Sequence, residues 1–82
     1  MKIDITACIR ITKENDMYGM ESYIDVGTKV KITFKDGKTL TGYVQRIDYG
    51  HYPGESKLLV LKTDDNTFLG AMPYFISDIE IV

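Results

Sequence analysis

Ring-bearing and basic side chains concentrate between residues 43 and 62, in a pattern typical of nucleotide or nucleic-acid binding. We select six of them as candidate ligand-binding residues: Tyr43, Arg46, Tyr49, His51, Tyr52 and Lys62. Rings stack on nucleobases, and each stacked base contributes about 1–3 kcal/mol. A guanidinium or an amine beside the rings can pair with a phosphate. A simpler interpretation stays open, because tyrosine is favoured in β-strands for its packing alone.

The chain lacks the residue combinations of an enzyme active site, and we expect no catalytic activity. His51 is the only histidine, and it lies in a Gly/Pro loop without an adjacent serine or cysteine to activate. Asp64 and Asp65 are adjacent carboxylates, but turn formation explains them. Cys8 is the only cysteine, so neither an internal disulfide nor the usual Cys/His zinc site can form. We therefore expect no metal and no cofactor.

The first 28 residues predict one strand followed by a long loop. Apolar and polar residues alternate from Lys2 to Thr12, which predicts an N-terminal strand over 1–12 with its isoleucine face in the core. The alternation stops in 13–28, where the spacing of Met17, Met20 and Ile24 is weakly helical. We expect a loop there, either functional or packed as a lid.

A hairpin is predicted over residues 29–48. Asp36-Gly37 is typical of a two-residue type I′ turn between the two strands. Gly42 lies inside the second strand and indicates a bend or a close backbone approach. The apolar spacing changes phase after Val44, which predicts a bulge near Gln45.

The remainder of the chain predicts three further strands. Residues 49–56 form a loop, and residues 58–61 read as a short strand buried on both sides. After a turn at residues 64–66, a strand covers 67–72 and is ended by Pro73. A last strand covers 75–82, with Phe75, Ile79 and Ile81 on one face. The sequence thus predicts one all-β domain over 1–82, in which 29–82 form a small barrel of five to six strands with little helix.

Two stretches resemble the conserved motifs of Sm-like proteins, over about residues 27–82. The first is Val30-x-Ile32-x-Phe34-x-Asp36-Gly37-Lys38-x-x-x-Gly42-x-Val44-x-x-Ile47-Asp48, and the second is Leu69-Gly70 followed by Ile76-x-x-Ile79-x-Ile81. SH3-like barrels of several families share the turn glycine and the bent strand. The resemblance implies an SH3-like or Sm-like barrel, a ring of subunits joined edge to edge, and bases held by the loop after Asp48.

The sequence departs from the Sm-like pattern where the family binds RNA. Tyr52 stands four residues after Asp48, where Sm-like proteins carry asparagine. Met72-Pro73-Tyr74 stands after the Leu69-Gly70 strand, where the family carries Arg-Gly or an equivalent. The strand over 1–12 takes the place of the family's helix. The resemblance therefore implies the scaffold more directly than the RNA site.

Charge is unevenly distributed along a chain of 82 residues with net charge −2. Residues 29–46 hold five basic and one acidic side chain, and residues 64–82 hold four acidic and no basic ones. This asymmetry suits head-to-tail subunit contacts or a local anion site, although solvated strand faces would also explain it. A small chain without disulfide or metal favours a homo-oligomer. Without an apolar run for a signal peptide or a membrane span, we expect a cytoplasmic protein with no membrane contact.

Two functions follow as hypotheses. The first is a non-enzymatic Sm-like ring that binds a nucleotide or RNA by aromatic stacking and a basic patch. The second is a protein-binding module, an accessory protein or viral inhibitor, that acts through the 13–28 loop or an open sheet edge.

Overall fold

The computed structural model describes residues 1–14, 19–50 and 57–82, and it consists of strands with one short 3-10 turn. The expectation of an all-β protein is confirmed. The strands are β1 Cys8–Glu14, β2 Gly19–Asp25, β3 Lys29–Phe34, β4 Thr39–Asp48, β5 Leu58–Lys62, β6 Phe68–Ala71 and β7 Ile76–Ile81. The 3-10 turn covers Pro73–Phe75, directly before β7. Within the described ranges no helix is long and apolar enough to cross a membrane.

The strands form two antiparallel sheets. β1 pairs with β2, and the second sheet has the order β6-β5-β4-β3-β7. Strands β3 to β6 follow one another as a meander, and β7 returns to pair with β3 at the start of that meander. β6 and β7 lie at opposite edges of this sheet, so it is not closed into a barrel in the described part of the chain.

The core lies on one face of the five-stranded sheet and is completed by the β1–β2 hairpin. Its fully buried side chains come from the middle strands, and the hairpin adds Ile9 and Ile24. Leu59, Val60 and Leu61 are all buried, and Val60 lies outside the main core cluster. Because successive strand residues point to opposite faces, β5 is buried on both sides, as its continuous apolar run predicts.

Both tight hairpins have the same three-residue loop. Phe34 N–H donates to Lys38 O (2.8 Å), which encloses residues 35–37, and only Gly37 has a positive φ, at 89°. The predicted type I′ turn is wrong, because that turn needs positive φ at two central residues. The β5–β6 loop repeats the design: Thr63 N–H donates to Thr67 O (2.9 Å), and Asn66 has φ 64°.

The predicted close approach at Gly42 and the predicted bulge at Gln45 are both confirmed. A Cβ at Gly42 would lie 3.0 Å from Lys62 O and 3.2 Å from Leu61 Cβ, so the neighbouring strand β5 approaches this position closely. The β4–β5 register shifts between Val44 and Arg46, which leaves Gln45 as the extra residue. A bulge reverses the alternation of side chains along its strand. Even-numbered residues of β4 therefore face the core before the bulge, and odd-numbered residues face it afterwards.

The first strand is shorter than predicted and the loop after it is mostly strand. β1 begins at Cys8, and the preceding residues are exposed, including Ile3 and Ile5, which were expected in the core. Residues 19–25 form β2 and not a loop with weak helical spacing, because pairing with β1 gives them a partner along their whole length. Met20, Ser22 and Ile24 alternate there with Glu21, Tyr23 and Asp25. This two-residue period is hard to recognise in so short a segment.

The last strand also differs in one residue. Phe75 belongs to the 3-10 turn, so it does not share a face with Ile79 and Ile81. Ile76 packs against the core instead, and the register with β3 is irregular at that point. The fixed φ of Pro73 starts the turn and delays the strand by one residue.

One ion pair connects the hairpin to the large sheet. Lys13 Nζ on β1 donates to Asp78 Oδ1 (2.5 Å) and to Ile79 O (3.1 Å), both on β7. The hydrogen bond from Lys13 and its positive charge lower the pKa of Asp78 from its ordinary value. The contact therefore favours the charged carboxylate of the folded protein.

We expect Gly42→Ala to destabilise the fold by about 1–3 kcal/mol, as overpacking does at a tightly packed site. The added methyl group would meet backbone and Cβ atoms of β5, neither of which can rotate away. Urea unfolding measures the effect. Gly19→Ala is the matched control, because the nearest atom to its Cβ is 3.9 Å away; equal midpoints for the two variants would contradict the close approach.

We expect the stabilisation supplied by Asp78 to be lost in acid. Its folded pKa lies below the unfolded value of 3.8, so its contribution is fully present above that value and disappears as pH falls through the folded pKa. The stability difference between parent and Asp78→Asn should therefore shrink as the pH falls below 3.8, measured by urea unfolding. Asp25→Asn, at an exposed position of β2, is the control; a pH-independent difference at position 78 would contradict the linkage.

Candidate functional site

Four side chains form a row across the outer face of the five-stranded sheet, the face away from the core. Tyr43 on β4 lies directly opposite Lys29 on β3 and opposite Lys62 on β5. Lys62 in turn lies opposite Phe68 on β6. Directly opposed residues of antiparallel strands share a face, so cation, ring, cation and ring follow one another across four strands.

The row is ordered at its β3 end by contacts of Lys29. Its Nζ lies 5.6 Å from the centre of the Tyr43 ring, within cation–π range. The same Nζ lies 3.9 Å from Oδ2 of Asp64, in the β5–β6 loop. Lys29, Tyr43 and Lys62 are half-buried and Phe68 is exposed, so the row combines fixed positions with accessible ring surface.

The β5–β6 loop is held rigidly beside this row. Asp65 accepts a hydrogen bond from the Thr63 hydroxyl and one from Thr67 N–H (3.3 Å). Hydrogen bonds from Thr63 and Thr67 lower the pKa of Asp65 from its ordinary value. The loop thereby fixes where β6 begins and which of its residues opposes Lys62.

A second row lies next to the first and contains Arg46. Arg46 opposes Val60, and Val60 opposes Gly70. The Gln45 bulge places Arg46 on the same face as Tyr43, although three positions separate them. Arg46 is bound to Asp48 two residues on, with Nε to Oδ1 at 2.9 Å and Nη2 to Oδ2 at 3.3 Å. Its guanidinium is therefore already paired with a carboxylate, which an anionic ligand would have to displace.

The structure brings together part of the expected set of ligand-binding residues. Tyr43 and Lys62 are direct neighbours, and Arg46 lies on their face. Tyr49 follows the end of β4 and is exposed. His51 and Tyr52 lie outside the described residues.

Two members of the row were not among the expected residues, although the sequence carries a signal for each. The hairpin turn at Asp36-Gly37 sets the β3–β4 register and thereby places Lys29 opposite Tyr43. The turn at residues 64–66 likewise places Phe68 opposite Lys62. Counting outward from the turn at residues 64–66 finds Phe68. Lys29 is found only with the three-residue loop, because the predicted two-residue turn would place it opposite Val44.

Tyr74 lies in a different environment from this row. Its ring is 4.2 Å from Lys35 Nζ and meets the Phe75 ring edge to face, with 5.2 Å between centres. Lys35 N–H also donates to Phe75 O (2.8 Å), which joins the β3–β4 loop to the 3-10 turn. Tyr74 is therefore an exposed ring that contacts Lys35 and Phe75, away from the outer-face row.

A groove of about 670 Å³ lies between the hairpin and the inner face of the large sheet. Its apolar lining comes from both sheets: Ile9, Ile11, Ile47, Leu59, Ile76 and Ile79. The Lys13–Asp78 ion pair also borders it. None of the four described candidate residues lines this groove, so it is separate from the outer-face row.

Rings and lysines alternate on the outer face, a combination that suits flat rings and phosphates. Among the described residues, no group of three His, Cys, Asp or Glu side chains is placed to hold a metal ion. Comparison with protein-family models, with curated proteins and with solved structures finds no match to this chain.

We expect Asp48→Asn to strengthen binding of an anionic ligand to the outer face by about two- to fivefold, because loss of a surface ion pair of up to about 1 kcal/mol releases Arg46. Arg46→Gln should weaken binding instead. Both are measured by fluorescence anisotropy of a labelled single-stranded RNA. Equal affinities for Asp48→Asn and the parent would show that Arg46 does not reach the ligand.

Proposed function

We propose that this protein is a non-enzymatic module that binds single-stranded RNA, or a nucleotide as its smallest ligand, on the outer face of the five-stranded sheet. The observation that carries the proposal is the row Lys29–Tyr43–Lys62–Phe68. Rings at alternate positions can stack on bases, and the lysines between them can meet phosphates.

The dimensions of the row support a short single strand. Neighbouring strands are about 4.8 Å apart, so four strands span about 14 Å, enough for two or three nucleotides. Phe68 is exposed and Tyr43 is half-buried, so unpaired bases can reach these rings. Double-stranded nucleic acid buries its base faces and would leave the rings without a partner. Stacking is sequence-tolerant, so we expect little readout of base identity.

Charge supports local rather than general attraction. The chain has net charge −2, so affinity cannot come from overall neutralisation of phosphates. Lys29 and Lys62 instead lie on the two strands that flank Tyr43, each directly opposite its ring. If the lysines contact phosphates, the affinity should fall as the salt concentration rises. The slope of log affinity against log salt concentration is set by the number of lysines that make such contacts.

The fold is part of the proposal. We infer an SH3-like or Sm-like arrangement that is open between β6 and β7. The meander with a returning last strand, the close approach at Gly42 and the Gln45 bulge support it. A ring of subunits joined through the two open edges would follow from the Sm-like resemblance. In that arrangement the loop after Asp48, with His51 and Tyr52, would hold further bases.

A protein-binding role is the second candidate. The outer edges of β6 and β7 have no neighbouring strand among the described residues, and an exposed edge can accept a strand from a partner. Residues 20–24 of the expected 13–28 surface lie on β2, where Met20 and Tyr23 are exposed.

The test is binding of a labelled single-stranded RNA of about ten nucleotides, followed by fluorescence anisotropy at about 50 and 200 mM salt. Tyr43→Ala and Phe68→Ala should each weaken binding by about 5- to 150-fold, the equivalent of about 1–3 kcal/mol per lost stack. Lys62→Gln should lower the salt slope by about one phosphate contact, close to 0.7 for a single strand.

Matched controls lie elsewhere on the surface. Tyr23→Ala removes an exposed ring from β2, and Lys38→Gln removes an exposed lysine after the β3–β4 turn. Circular dichroism confirms that each variant is folded. If Tyr43→Ala and Phe68→Ala bind as tightly as Tyr23→Ala, or the parent binds no RNA at low salt, the outer face is not a nucleic-acid site.

A further inference from the structure

Residues 2–7 have the pattern of a strand, but before Ala7 they have no strand partner in the described chain. Ile3 and Ile5 alternate with Lys2, Asp4 and Thr6. The last hairpin bond before this segment joins Val26 N–H to Ala7 O (2.8 Å), and there the chain after β2 turns away towards β3. Ile3 is 76% exposed and Ile5 90% exposed. Two β-branched apolar side chains are therefore left in water on one face of a strand-like segment.

The outer edge of β6 has backbone groups that could pair with this segment. The bond from Thr63 N–H to Thr67 O fixes the hydrogen-bonding phase of the β5–β6 ladder. In a regular antiparallel ladder, Leu69 and Ala71 then bond to β5, and the backbone groups of Phe68 and Gly70 face outward. Leu69 at this edge is 38% exposed, on the core side of the sheet.

The outer edge of β7 is a poorer acceptor. The bond from Val82 N–H to Lys29 O places the backbone groups of Ile79 and Ile81 on the outer side. Lys13 Nζ already donates to Ile79 O there and pairs with Asp78. A strand added at β7 would have to displace this contact, whereas no described residue bonds to the outer side of β6.

We propose that residues 2–7 of one copy of this chain add as a strand to the outer edge of β6 of a second copy. Ile3 and Ile5 are two residues apart, and so are Leu69 and Ala71, so the isoleucines would extend the core side of the sheet. Lys2, Asp4 and Thr6 would lie on the outer face. Within one described chain residues 2–7 do not pair with β6, and both Ile5 and Leu69 are exposed.

The geometry of this exchange limits the assembly. Donor segment and acceptor edge are different surfaces of the chain, so a one-way contact is head to tail and closes as a ring or continues as a filament. Reciprocal exchange between two copies gives a dimer instead. The inference does not rest on RNA binding, although Phe68 of the outer-face row lies on the acceptor strand. It is an alternative to a ring joined through the β6 and β7 edges, because an edge pairs with only one added strand.

The first test is the mass of the full-length chain by light scattering during gel filtration, over a range of protein concentrations. The parent should be oligomeric at high concentration, and Ile3→Lys with Ile5→Lys should raise its dissociation constant by about tenfold or more. The matched control places the same charges on the other face of the segment, as Asp4→Lys with Thr6→Lys. A parent that stays at 9.3 kDa, or equal effects of both double variants, would overturn the proposal.

The second test is cysteine cross-linking in a Cys8→Ser background, because Cys8 is a free, exposed thiol. Chains with Ile5→Cys or Ile3→Cys are mixed with chains carrying Leu69→Cys and oxidised. A mixed disulfide at one of the two positions is expected, and which one forms gives the strand direction. Failure of both pairs overturns the proposal. So does a disulfide that forms within single chains carrying both cysteines, at concentrations where the parent is monomeric, because residues 2–7 would then cover their own β6.

Discussion

The extra residue at Gln45 controls which side chains share the outer face. Before it, Tyr43 faces outward and Val44 lies in the core; after it, Ile47 packs on the core and Arg46 faces outward. A regular β4 would direct either the cation or the ring into the interior. Close contact between Gly42 and the β5 backbone fixes the strand just before the shift. The candidate site thus depends on an irregularity of the ladder and on a position without a side chain.

The sequence predicted those parts of the fold that local chemistry decides. The glycine inside a strand predicted the close approach at Gly42, and the phase change of apolar residues predicted the bulge at Gln45. The continuous apolar run predicted that β5 is buried on both sides. The predicted turn at Asp36-Gly37 was right in place and wrong in type. A three-residue loop satisfies the same signal with only one residue of positive φ.

The sequence failed where pairing between distant segments decides the outcome. Alternation predicted a strand over 1–12 with one face in the core, but β2 turns away after Asp25 and residues 2–6 have no strand partner among the described residues. For the candidate site, the concentration of rings and basic side chains between residues 43 and 62 correctly predicted Tyr43 and Lys62 as neighbours. It missed Lys29 and Phe68, since their relation to that stretch exists only through the strand registers.

The carboxylate of Asp64 beside Lys29 has a consequence for how an anion would be exchanged at this site. The protein supplies its own negative group at 3.9 Å from the amine, so a phosphate arriving there replaces an internal anion instead of small ions from solution. Lys29 would then orient a ligand while adding little to the ionic-strength dependence of the complex. A doubly charged terminal phosphate should compete with Asp64 better than a singly charged phosphodiester, which favours strand ends over strand interiors at β3.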